Sequence, residues 1–433
     1  MNEKIKYAVL QPLSGGIYFA AEQAVGHPAE FIISYPGFDS PKYNKEGVLI
    51  DAGNEYNLKK YLEKHNRMVP YYQFDREPFQ LDNDLNPRIL KDGVEVDHPD
   101  YSNLDLVVAL PVCSGLSSAS CGISEETKKA RNSNMKYLAK YTLNIVKPKI
   151  YIFENAPGLM ATSSKYIREE LELIARDSGY SIAYYKTDTC LHNNCQRRPR
   201  TFIYFFRNDG SRKSVPQLNF ENKTITVEEL MSKIPERSTQ QFTLELDGIS
   251  KTMMSFIKSK YGKDWRDKMK TSCLIDEIIK LDAIDEWKRY VEDSNEFDDK
   301  TKKRVFKHID HIKEKRSMKK GFYISAPIYK KNHFLPSIMF RTIPVTIHFK
   351  EDRLYTVREL LTAMGMPFDF EMFGDLKRYY PKIGQNVPVK TAKFIIDEAV
   401  RIINSWDTIE RTESSSIMFY DNTKQTVISL GSL

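Results

Sequence analysis

The feature that most restricts the fold of this chain is a rhythm in its first two hundred residues, where short apolar runs alternate with segments of helical periodicity. IKYAVLQ and AEFIIS read as buried strands, and GGIYFAAEQAVG between them carries its apolar residues at helical spacing. LDLVVALP is apolar throughout, as a central parallel strand must be when both its faces are covered. TKKARNSNMKYLAKYTLNIV is an amphipathic helix, KIYIFE the next strand, and KYIREELELIARDSGY a helix closed by glycine. SIAYYKT and TFIYFFRN follow as two aromatic-rich strands. This alternation predicts an α/β fold with a doubly wound, mostly parallel sheet, whose ligands gather outside the carboxyl ends of the strands.

From about residue 208 the rhythm changes to polar, charge-dense segments, among them the helical AIDEWKRYVEDSNEFDDKTKKRVFKHIDHIKEKR. The α/β style returns after FRTIPVTIHF, with TVRELLTAMG and VKTAKFIIDEAVRIINSW as helices and a closing hairpin that turns at Asp421-Asn422. The expected organisation is a first α/β domain over 1–208, an inserted smaller domain over 209–337, and a segment over 338–433 that returns to the first domain.

No apolar run approaches the roughly 20 residues of a membrane helix, and the N-terminus lacks a signal-peptide pattern. Five cysteines in 433 residues make no disulfide framework, so an intracellular, reducing setting is expected. The net charge of +7 permits a polyanionic partner without demanding one. It is unevenly placed: Lys302, Lys303, Arg304 and Lys307 open a basic run that continues to Lys330. Composition alone favours a solvated helix face there; the alternative is a patch that neutralises phosphates.

Two strand ends carry candidate chemistry. LVVALPVCSGLSS sets Cys113 in a Ser/Gly-rich turn straight after an apolar strand, where backbone N–H groups can favour a thiolate. The next strand ends at Glu154 within IYIFENAPG, a carboxylate able to serve as an acid. Neighbouring parallel strands would bring the two together. Arg198 and Arg200 precede the strand TFIYFF and could hold an anionic backbone or a base edge at the same sheet edge. Cys190, His192 and Cys195 match no common zinc spacing, so no metal is expected.

In order along the chain, these residues resemble the motifs of the DNA cytosine-C5 methyltransferase family. LSGGIYFAAEQAVG is similar to its cofactor loop, PVCSGLSS to its nucleophile motif, and ENAPGLM to its Glu-Asn-Val motif. Gln196, Arg198 and Arg200 match Gln-x-Arg-x-Arg; DRLYTVREL supplies Arg353, Thr356, Arg358 and Glu359 of a later motif; IGQNVPV resembles Gly-Asn-Ser-Val-Pro. Six motifs in the family's order, with a long insert in the expected place, identify a divergent member of phage or mobile-element type. The resemblance implies a Rossmann-like fold that binds S-adenosylmethionine, and a target-recognition domain in the insert, where the basic run then favours double-stranded DNA.

It further implies methyl transfer from S-adenosylmethionine to C5 of a flipped cytosine. Cys113 would add to C6 as nucleophile, with Glu154, Arg198 and Arg200 as its catalytic partners. Ser14, Gly15, Gly16, Tyr35, Gln385 and Val387 would contact the cofactor. Ser117, Gln196, Lys302, Lys303, Arg304 and Lys307 would contact nucleic acid, and a monomer associated with intracellular DNA is expected. The departures lie on the cofactor side. Gln11 and Leu13 stand where the family has Phe and the first Gly, Tyr35 where it has an acid (Asp39 being near), and Gln385 where it has Asn, with Asn386 one position on. Alternatives are an RNA substrate, a transferred group other than methyl, and a catalytically silent DNA-binding homologue; a pure binder, however, has no need of Cys113 and Glu154.

Overall fold

The computed structural model describes residues 4–35, 41–76, 87–112, 115–116, 124–209, 214–235, 239–317, 334–338, 346–409 and 415–431. In chain order its strands are β1 (Tyr7–Leu10), β2 (Phe31–Ser34), β3 (Lys42–Tyr43), β4 (Leu49–Asp51), β5 (Tyr71–Phe74), β6 (Ile89–Lys91), β7 (Val94–Val96), β8 (Leu106–Ala109), β9 (Ile150–Asn155), β10 (Tyr180–Asp188), β11 (Pro199–Arg207), β12 (Ile417–Asp421) and β13 (Thr426–Gly431). The helices are α1 (Gly16–Val25), α2 (Gly53–Lys64), α3 (Glu125–Tyr141), α4 (Lys165–Asp177), α5 (Val227–Met231), α6 (Gly248–Tyr261), α7 (Trp265–Lys268), α8 (Leu274–Lys280), α9 (Ile284–Asp293), α10 (Asp299–Ser317), α11 (Val357–Ala363), α12 (Leu376–Gln385) and α13 (Val389–Asn404).

β3 and β4 pair as a separate ribbon; the other strands join one sheet in the order β13-β12-β10-β11-β9-β8-β1-β2-β5-β6-β7. β5, β2, β1, β8 and β9 run parallel at its centre. The chain winds outward from β1 to β5 on one side and from β8 to β9 on the other, so the strand order reverses between β1 and β8. This is the doubly wound α/β arrangement read from the sequence. β11 enters antiparallel between β9 and β10. The link from β10, Thr189 to Arg198, is too short for the crossover that a parallel neighbour needs.

Side chains alternate across this sheet, and each set builds its own core. Tyr7, Val9, Leu106, Val108, Ile150 and Ile152 face α1 and α13. Ala8, Leu10, Val107, Ala109, Tyr151 and Phe153 face α3 and α4. Because both faces are covered, the central strands are buried at every residue, which is why LVVA and IYIF read as unbroken apolar runs. Each fully buried Val, Leu, Ile or Phe here stabilises the fold by about 1.5–3 kcal/mol.

A third apolar cluster, around Trp265 and Trp287, runs from Leu246 through α6 to α10 as far as Ile312 and takes in Ile347 and Leu354. Upstream of it, Val215, Leu218, Ile225, Val227 and Leu230 belong to the core on the α1 and α13 side of the sheet. The long charged segment is two helices, α9 and α10, because Ser294 and Asp298 bond the N–H groups of Glu296 and Thr301 and interrupt the helical ladder. Where the chain leaves the cluster, Thr356 and Glu359 form a reciprocal capping box at α11, and Arg353 grips Glu359 through two bonds of 2.8 Å. Arg358 is fully buried and donates to the carbonyls of Thr239, Pro367 and Phe370. The motif read as DRLYTVREL is therefore a junction that ties both ends of the helical cluster to the sheet domain. Among the described residues no helix is long and apolar enough to cross a membrane.

Candidate active site

Since β1, β2, β8 and β9 are parallel, the turns after them open at one edge of the sheet, and the start of antiparallel β11 reaches the same edge. Glu154 and Arg200 meet there: Arg200 Nε contacts Glu154 Oε1, with the two side chains 13% and 9% exposed. A guanidinium against a carboxylate in this half-dry setting fixes the carboxyl's orientation. Arg200 also donates to the Pro199 carbonyl at 2.8 Å.

Cys113 and Ser117 lie outside the described residues, as does Asp39, but the residues flanking Cys113 are held tightly. The Val112 N–H donates to Asn134 Oδ1 on α3 at 2.8 Å. Gly115 approaches the same helix so closely that a Cβ would lie 2.1 Å from Asn132 Oδ1. On the other side, a Cβ on Gly158 would lie 2.3 Å from the Leu116 carbonyl oxygen. Val112 and Gly115 thus lie against α3, and Leu116 lies against the turn that follows Glu154.

Gln196 and Arg198 do not sit as expected. Gln196 is fully buried; its Oε1 accepts from the Ile338 N–H at 2.9 Å and its Nε2 approaches Met364 Sδ. A side chain so enclosed has no face for nucleic acid, and its work is to hold the strand-like stretch at 335–338. Arg198 is 2% exposed and donates to three main-chain carbonyls, those of Ile338 (2.6 Å), Gly384 and Asn386 (both 2.8 Å). It fastens the end of the insert to the α12–α13 junction, and reaching a base would break those bonds.

On the cofactor side, the structure brings the first loop against the last motif. Gly15 caps α1 at φ 101°, and the Gly16 N–H donates to Asn386 Oδ1 at 3.2 Å. A Cβ on Gly16 would sit 2.4 Å from the Val387 carbonyl oxygen, so only glycine permits this approach. Asn386 is buried at this contact, whereas Gln385, the residue expected to meet the cofactor, is exposed. Ser14 is buried with its hydroxyl on Asn54 Oδ1. Leu13 keeps a left-handed backbone, φ 51°, at the position of the missing glycine, and Gln11 does the same at φ 52°. Gln11 Oε1 is buried with no hydrogen-bond partner among the described residues. Tyr35 follows directly on β2 but turns inward: it is 2% exposed, packs near Phe74, and its hydroxyl accepts from Asn134 Nδ2 at 3.0 Å. Burial pushes its phenol well above the usual range, and its hydroxyl is engaged by Asn134.

Lys303, Arg304 and Lys307 project from α10 on the face opposite Val305, Ile309 and Ile312, and none of the three has an acidic partner among the described residues. Lys302 is half-buried and donates to the Glu292 carbonyl. Burial pushes the thiols of Cys190 and Cys195 up to about 12, which leaves them poor nucleophiles. His192 lies flat against Phe394 and bonds Thr187 Oγ1 at 3.0 Å. Among the described residues no cluster of His, Cys, Asp and Glu could hold a metal ion. Sequence reasoning missed Asn134. Its signal was a run of poor helix formers, Asn132-Ser133-Asn134, in mid-helix without a capping role.

Solved structures share this fold. A protein of an E. coli prophage assigned as a DNA modification methyltransferase aligns with a TM-score of 0.50 at 16% identity, over 92% of this chain and 99% of its own. The methyltransferase EhMeth of Entamoeba histolytica aligns at 0.51 and 11% identity, over 94% and 100%. A variant of the DNMT2 protein of Spodoptera frugiperda aligns at 0.50 and 11%, over 92% and 99%. No curated protein matches the sequence. The sequence profile of the C-5 cytosine-specific DNA methylases matches residues 79–401, a span that takes in Cys113, Glu154, Arg200 and the insert and begins beyond the Gly15-Gly16 turn. The chain accordingly belongs to the C-5 cytosine-specific DNA methylase family and is a DNA cytosine-5 methyltransferase.

Proposed function

We propose that this enzyme transfers a methyl group from S-adenosylmethionine to C5 of a cytosine turned out of duplex DNA, by way of a covalent bond from Cys113 to C6. One observation carries the reading: Leu116, three residues past Cys113, packs on Gly158, four residues past Glu154, at the edge where Glu154 meets Arg200. On this reading a base inserted at that edge meets the Glu154 carboxyl, and the chain that leads to Gly158 through Leu116 supplies the thiolate.

C5 of cytosine is a poor nucleophile, and the base must leave the stack before C6 can be reached, at a cost of a few kcal/mol. Addition of the Cys113 thiolate to C6 breaks the C5–C6 double bond and moves its electron pair toward C5. Glu154 gives or shares a proton at N3, so that negative charge does not accumulate on the ring. Arg200 orients that carboxyl; Arg198 and Gln196 act at one remove, as positioning residues. S-adenosylmethionine, when bound, supplies an electrophilic methyl on a sulfonium centre. Transfer of the C5 proton to solvent water and departure of Cys113 as thiolate then restore the aromatic ring, and the N3 proton returns to Glu154.

The residues that would hold the cofactor fit a polar ligand at the end of β1. The Gly15-Gly16 turn closes against Asn386 and Val387, and the buried amide oxygen of Gln11 can accept from a bound group. The helical cluster would read the target, with Lys303, Arg304 and Lys307 on phosphates. The test is to incubate the protein with labelled S-adenosylmethionine and a kilobase duplex in which 5-fluorocytosine replaces cytosine. A labelled covalent adduct that disappears in Cys113→Ala is expected; tight DNA binding with no adduct overturns the mechanism. The product mass on ordinary DNA reads the group transferred.

A further inference from the structure

Asn134 is a buried polar side chain on α3 that touches the chain next to Cys113 and is itself held from behind. It is 1% exposed, and both halves of its amide are used: Oδ1 takes the Val112 N–H at 2.8 Å, and Nδ2 donates to the Tyr35 hydroxyl at 3.0 Å. Tyr35 is locked in turn by its place directly after β2 and by the Phe74 ring, with centroids 5.0 Å apart. The two bonds fix which way the amide faces, since a flipped amide would set N–H against N–H at Val112.

The consequence falls on the nucleophile. Val112 immediately precedes Cys113, and pinning its N–H fixes the Pro111–Val112 peptide plane one residue ahead of the nucleophile. The other flank is pinned by the same helix, where Asn132 lies against Gly115. We propose that Asn134, braced by Tyr35, is a positioning residue that sets the approach of Cys113 to the base. The inference rests on the reading of Cys113 as the nucleophile. It also gives the buried Tyr35 hydroxyl a task within the protein. Misplacing a reacting group by about 1 Å costs on the order of 100-fold in rate, so a bond that holds the neighbouring residue within that margin controls turnover without touching substrate.

The experiment uses Asn134→Leu, which keeps volume but removes both bonds; Asn134→Asp, whose carboxyl can accept from Val112 and from the Tyr35 hydroxyl; and Tyr35→Phe, which removes the brace alone. Adduct formation on the 5-fluorocytosine duplex is followed in single turnover, beside DNA affinity, S-adenosylmethionine affinity and the melting temperature. Expected are a ten- to hundredfold slower adduct in Asn134→Leu with both affinities within twofold, substantial recovery in Asn134→Asp, and an intermediate loss in Tyr35→Phe. Wild-type adduct rates in Asn134→Leu overturn the inference, as does a loss in Asn134→Leu that Asn134→Asp fails to restore. If Asn134→Leu does not fold, Tyr35→Phe decides: a slowed adduct at unchanged affinities supports the inference, and an unchanged rate overturns it. Adduct formation that survives in Cys113→Ala defeats the underlying mechanism instead, whatever the Asn134 variants do.

Discussion

Gly16 shows how closely a single atom is accommodated in this protein. Alanine there would place its Cβ against the Val387 carbonyl, and the loop must shift to admit it. Gly16→Ala is expected to weaken S-adenosylmethionine binding at least tenfold while DNA affinity changes little, a contrast that calorimetry with each ligand measures. His192 makes a different residue-scale prediction. Burial lowers its pKa to about 3, below the value near 6.5 of an unfolded histidine, so the fold favours the neutral ring. Its contribution is complete above about pH 6.5 and is lost as pH falls from there toward 3. Urea unfolding at pH 7 and pH 5 should differ by about 2 kcal/mol from this group alone. His192→Phe, which keeps the stack on Phe394, should flatten that part of the curve. His348, lowered by burial to about 4, acts in the same direction and remains in the variant.

At the scale of elements, the capping box at α11 shows what a motif can mean. Thr356→Ala removes the bond to the Glu359 N–H and should cost about 1 kcal/mol by urea denaturation, with the methylation rate per folded molecule unchanged. The central strands and the helices that cover them were legible in the sequence because unbroken apolar runs and helical periodicity state burial directly. The ribbon of β3 and β4 and the hairpin of β6 and β7 were not foreseen. Asp92-Gly93, at φ 52° and 82°, is a two-residue turn signal that would have located the second of these. Within the site, Glu154 and Arg200 could be placed by strand ends alone. Gln196 and Arg198 could not, since the main-chain groups of residues 338, 384 and 386 that claim them are distant in sequence and carry no side-chain signature. Asn386, not Gln385, is the residue buried against Gly16, because at a helix end packing and not spacing decides which side chain turns inward.

For the whole molecule, the proposed DNA-binding role of the exposed basic face of α10 is tested by the dependence of binding on salt. Replacing Lys303, Arg304 and Lys307 together by Gln should reduce the slope of log affinity against log salt by about 3, one for each phosphate no longer neutralised. An unchanged slope would assign that helix face to solvent. The bond between Gly16 and Asn386 has a consequence in time. Its two partners are separated by 370 positions in the chain. During synthesis the first loop emerges early and waits, open, for a residue translated near the end. On the proposed reading, a ribosome-bound chain that displays β1, Glu154 and even the complete helical cluster still lacks one wall of the donor site. Unfinished copies should then be unable to methylate, and splitting the gene between α10 and α11 should yield two inert pieces whose reassociation restores activity.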